Sequence, residues 1–77
     1  MEAIIEILQE VKDGIDYETC TTLIDDGLFS SFDIIQTINL LNDEYDISIP
    51  ATEIIPENFN SAAGLLKMVQ RIENEAF

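Results

Sequence analysis

The chain has 77 residues, 47% of them hydrophobic, and sixteen acids against three bases leave a net charge of −13. A domain this short buries only about 60% of its unfolded surface, which allows one modest core and excludes a deep cleft between lobes. Nucleic acid and anionic membrane surfaces are excluded as partners because both call for cations, and the lack of His beside a single cysteine excludes a Cys/His zinc site, an internal disulfide and any His-based triad.

Ile4, Ile5, Leu8 and Val11 recur at helical spacing, with Glu2, Glu6 and Glu10 on the other side. They predict a first helix that stops near Lys12-Asp13-Gly14, where Gly14 takes the left-handed C′ conformation. From Gly14 to Phe29 runs a long connection with an Asp26-Gly27 turn and three apolar anchors, Leu23, Ile24 and Leu28. Connections of that length are uncommon in compact domains and are usually functional or tied down by their own side chains. Cys20 lies in this stretch with no base or cation beside it to activate the thiol, so it reads as structural or incidental.

A second helix is predicted from the pair Ser30-Ser31. Ile34, Ile38, Leu41 and Tyr45 form its apolar stripe, with Ile35 expected to widen it, and it ends by Asp46. A short helical turn follows at Ala51 to Ile55, held back by Pro56, which disfavours helix in the residue before it. The last helix starts at Asn60 or Ser61 as cap and buries Leu65, Val69 and Ile72, flanked by Ala62 and Leu66. Asp46 to Pro50 is the one stretch with period-two alternation, too short to make a sheet. The expected fold is all-α: a small bundle of three main helices plus one short one in a single domain, 1–77, with a long loop between the first two helices.

Ser30 and Asp33 have the spacing of a capping box, with Asp in place of the commoner Glu. The Ser30 hydroxyl accepts from the Asp33 amide and the Asp33 carboxylate from the Ser30 amide, an arrangement worth about 1 kcal/mol. Ser31 then becomes the first helical residue, exposed at the positive end of the helix dipole. An esterified phosphate is favoured there by the dipole and by unpaired amides.

Leu23 to Ile35, followed by Tyr45-Asp46-Ile47-Ser48-Ile49-Pro50, resembles the acyl carrier protein family, with its Asp-Ser-Leu or Asp-Ser-Phe signature, acidic helix and phrase of the type F-x-I-x-I-P. The likeness runs from about Leu8 to Ile72 and is specific between Leu23 and Ser61. It implies an acyl-carrier-like bundle in which the signature serine carries 4′-phosphopantetheine, attached covalently from coenzyme A. An acyl or aminoacyl group is held on its thiol as a thioester. By position that serine is Ser31, because Phe32 follows it as a large apolar residue follows the family's serine.

The implied partners are a phosphopantetheinyl transferase, an acyl- or aminoacyl-adenylating ligase and a downstream acyltransferase, and the carrier is not itself an enzyme. Docking is expected at Asp33, Gln36, Asp43 and Glu44, where the acidic surface steers basic partners. Ser31-Phe32-Asp33-Ile34-Ile35 and the Glu57 to Ser61 stretch look more like the D-alanyl carrier group than the fatty-acid type. Two departures stand out. Ser30 replaces the family's Asp, preserving the cap but removing a charge where the transferase and its metal ion approach. Gln36, Thr37 and Asn39 occupy the exposed face, where fatty-acid carriers are acidic or apolar. Leu28, Phe29, Phe32 and Ile54 are expected in the core, the alternative being a place for the acyl chain.

No apolar run approaches the ~20 residues of a membrane span, and Met1 to Glu10 has acids where a signal peptide has bases. A cytoplasmic monomer is expected, and the lone thiol suits a reducing compartment. The competing reading is a small acidic interaction module without a prosthetic group. A calcium loop through Asn42, Asp43, Glu44 and Asp46 lacks the Gly and Glu that an EF-hand needs. An enzyme would need paired carboxylates in a pocket that a bundle this small has little room for.

Overall fold

The computed structural model describes residues 2–75, and among them every regular element is helical. Helix α1 spans Glu2–Val11, α2 Ser31–Tyr45, α3 Pro56–Phe59 and α4 Ala62–Glu75, with a 3-10 turn at Ala51–Glu53. The expected bundle is therefore present: α1, α2 and α4 pack against one another in all three pairings, and α3 packs on α4.

Ile4, Ile7 and Leu8 carry the buried face of α1. The helix stops at Val11, and Gly14 turns the chain at φ 86°, one residue further on than a C′ glycine. In α4, Ala62, Leu65, Met68 and Val69 are buried, so Met68 joins the predicted stripe and Ile72 lies at its half-buried margin. Ser61 is the cap, its hydroxyl accepting from the Gly64 amide at 3.0 Å. Asn60, the other candidate, has a different role in the long connection.

The face of α2 is rotated from expectation. Ile34, Ile38, Leu41 and Tyr45 do point inward, but their neighbour on the buried side is Thr37, with no exposed surface, whereas Ile35 is 56% exposed. Ile35 lies about 100° from Ile34 around the helix, too far to reach α1 or α4. Thr37 pays no desolvation penalty because its hydroxyl donates to the Asp33 carbonyl at 2.8 Å. Asp46 ends the helix at φ 53°, in a conformation usually taken by glycine, and its amide donates to the Asn42 carbonyl.

The short helical segment also differs. It is split in two: the 3-10 turn closes at Glu53, Ile55 is extended at φ −128° and ψ 153°, and Pro56 opens α3. Proline forces the residue before it out of the helix and is itself suited to the first helical position. α3 then approaches α4 so closely that a Cβ at Gly64 would stand 2.8 Å from the Glu57 carbonyl oxygen.

Candidate functional site

The long connection contributes three side chains to the core that the helices enclose. Tyr17, Leu23 and Phe29 are buried, and the rings of Tyr17 and Phe29 meet edge to face at 6.2 Å. The Tyr17 hydroxyl donates to the Leu8 and Lys12 carbonyls, closing the end of α1. Burial first, then the charges of Asp33, Asp13 and Cys20, pushes the Tyr17 phenol up to about 12.

Further along, Thr22 and Asp26 bond through their side chains at 2.6 Å, and Gly27 turns at φ 69°. Asn60 clasps this turn from the end of α3. Its side-chain oxygen accepts from the Ile24 and Asp25 amides at 2.9 and 3.0 Å, while its carbonyl accepts from Leu23. Cys20 is half-buried with its sulfur 4.0 Å from the Thr22 hydroxyl.

The connection delivers the chain to Ser30, extended at φ −82° and ψ 172°. The capping box is complete: the Asp33 amide donates to the Ser30 hydroxyl at 3.2 Å and the Ser30 amide to the Asp33 carboxylate at 3.0 Å. Ser31 is the first residue of α2 and is exposed. Its hydroxyl stands free of the cap, beside the first-turn amides that an α-helix leaves without carbonyl partners.

Around this end the surface is apolar. Phe32 is 67% exposed, and Ile54 and Ile55 are each about 40% exposed. Of the four apolar residues expected in the core, Phe29 is buried and Leu28 half-buried, but Phe32 and Ile54 lie outside. Phe32 falls on the α2 face opposite Ile34 and Leu41, and Ile54 sits in the break between the 3-10 turn and α3. A small cleft of about 70 Å³ opens between Ile24, Ile34, Ile54, Ile55, Pro56 and Phe59. Helical periodicity alone places Phe32 off the stripe, the one signal in the sequence that it lies outside the core.

The four expected docking residues do not form one patch. The Asp33 carboxylate is turned back into the capping box, with its side chain only 16% exposed. Gln36 is exposed on the outward face with Phe32 and Asn39. Asp43 and Glu44 are exposed along a groove against α1, which Glu6 and Glu10 also line. The Asn42 side chain accepts from the Ile49 amide at 3.1 Å, fastening the Ile47-Ser48-Ile49 stretch to α2. Among the described residues no three His, Cys, Asp or Glu side chains are gathered so as to hold a metal ion, and no helix is long and apolar enough to cross a membrane.

Neither protein-family models nor curated proteins give a match to this chain.

Proposed function

We propose that the chain is a carrier protein that holds an acyl or aminoacyl group on a 4′-phosphopantetheine arm at Ser31 and presents it to partner enzymes in the cytoplasm. The observation that carries this reading is the position of Ser31: exposed, first in α2, with the neighbouring serine committed to the cap. A phosphodiester at Ser31 suits the residues present. The first-turn amides and the helix dipole favour its charge, and Ser31 is open to solvent.

When bound, the arm supplies the thiol on which the thioester is carried. This chain contributes placement and recognition. Ser30 and Asp33 hold the helix start, and Phe32, Ile35, Ile54 and Ile55 offer apolar contact around Ser31. The surplus of acids steers a basic partner rim toward them. Catalysis belongs to the partners: the transferase, the adenylating ligase and the downstream acyltransferase. The cleft beside Ile54 has a volume of only about 70 Å³, which favours a small cargo such as an aminoacyl group over a long buried chain, in keeping with the D-alanyl-like wording of the sequence.

Incubation with coenzyme A and a broad-specificity phosphopantetheinyl transferase, read by intact mass, tests the proposal. One phosphopantetheinyl group on the native chain and on Ser30→Ala, with none on Ser31→Ala, is the expected result. Ser30→Asp restores the charge of the family signature and is expected to be modified faster. No gain beside a control carrier modified in the same tube would reject the reading in favour of an acidic interaction module, for which the exposed Phe32, Ile35, Ile54 and Ile55 would be the contact surface.

A further inference from the structure

Lys12 is one of the three cations of the chain, and Lys67 and Arg71 both lie on α4. Its ammonium donates to the Leu28 carbonyl at 2.7 Å and stands 3.9 Å from the Asp33 carboxylate. These two groups bracket Ser31 in the chain, one at the end of the long connection and the other inside the capping box. The carboxylate oxygen nearest Lys12 is also the one that accepts from the Ser30 amide.

Lys12 is itself fixed from behind. Its amide donates to the Leu8 carbonyl at 2.9 Å, and its carbonyl accepts from the Tyr17 hydroxyl. The end of α1 is thereby joined through one side chain to both sides of the segment that presents Ser31.

We propose that Lys12 is a positioning residue for transfer of the arm to Ser31. It holds the last carbonyl region of the connection and the capping carboxylate at a set separation, so that the Ser31 hydroxyl stays at the helix end in one orientation. The kinetic part of this proposal rests on the carrier reading; the clamp itself does not. The contacts are charge-assisted, and the ammonium is half exposed. Their loss is therefore expected to change populations by about fivefold rather than to unfold the chain.

The test compares Lys12→Met, Lys12→Arg and Lys67→Met, the last being the control for net charge, with thermal melting to verify that all three fold. In the protein without its arm, solvent exchange at the Ser30 amide should rise about fivefold in Lys12→Met, return toward the native rate in Lys12→Arg and stay unchanged in Lys67→Met. With coenzyme A and the transferase, kcat should fall by a similar factor in Lys12→Met alone, with KM little altered. Equal kinetic losses in Lys12→Met and Lys67→Met would overturn the proposal in favour of bulk charge, and so would an unchanged Ser30 exchange rate. A native chain that takes no arm would defeat the carrier reading separately, and the exchange experiment would still decide whether Lys12 is the clamp.

Discussion

The two long connections of this molecule are built in opposite ways. Residues 12–30, between α1 and α2, bury Tyr17, Leu23 and Phe29 and are clasped by Asn60 through three hydrogen bonds from backbone amides. Residues 46–61, between α2 and α4, bury Phe59 and leave Ile54 and Ile55 partly in solvent. The Glu53 carboxylate, engaged by Arg71 and Asn58, holds their 3-10 turn to its neighbours. The first connection aims the start of α2, where position matters; the second leaves apolar surface beside that start, where contact matters. Absence of regular structure therefore says little about how firmly a segment is held.

Substitutions in the two connections should separate them cleanly. Phe29→Ala removes a buried ring and its edge-to-face partner, and should cost about 3–4 kcal/mol in urea denaturation. Gly64→Ala, where α3 meets α4 at the end of the second connection, forces a contact at 2.8 Å with backbone and should cost about 1–3 kcal/mol. Asn60→Ala is next: it leaves the Ile24 and Asp25 amides without their acceptor, and a loss of about 1–2 kcal/mol is expected. Faster amide exchange confined to residues 22–28 would show that the clasp, rather than the cap of α4, is what was lost. Ile55→Ser, in the exposed stretch, should stay within about 0.5 kcal/mol of the native chain. A cost as large as that of Phe29→Ala would abolish the distinction between the connections.

Alkali offers another way to sharpen the contrast. The folded-state value of Tyr17 is raised to about 12 from an ordinary 10, so the folded protein holds this proton more tightly than the unfolded chain. The stability this contributes is present in full below pH 10 and is lost as pH rises through 12. Denaturation midpoints should accordingly fall between pH 10 and 12, and Tyr17→Phe should flatten that fall. Tyr45, raised by burial and then by Glu44 and Glu73, contributes in the same direction and leaves a residual slope in the variant.

The capping box was legible in the sequence because it depends on residues three apart and on helix ends that are local by nature. The exposure of Phe32 and Ile54 was not, because an apolar side chain carries no mark of whether a neighbour will come to cover it. Ile35 and Thr37 exchanged roles for a related reason. Which flank of the α2 stripe is buried depends on where α1 and α4 lie, and hydropathy alone ranks isoleucine ahead of threonine. Asn60 and Ser61 both suit the cap of α4 by type and position; Ser61 takes it, and the Asn60 side chain bonds with residues 36 and 35 positions away. No local rule could supply that partner.

By itself the sequence determined the three main helices, their approximate limits, the cap at Ser30 and the separation of Ser31 from it, since these follow from periodicity, backbone preference and short-range hydrogen bonds. The tertiary structure alone decided which side of α2 is buried, how the long connection is held, and that Lys12 reaches from the end of α1 to the groups on either side of Ser31. Those are matters of distance between segments far apart in the chain, where packing of the whole core, rather than any residue's own preference, sets what meets what.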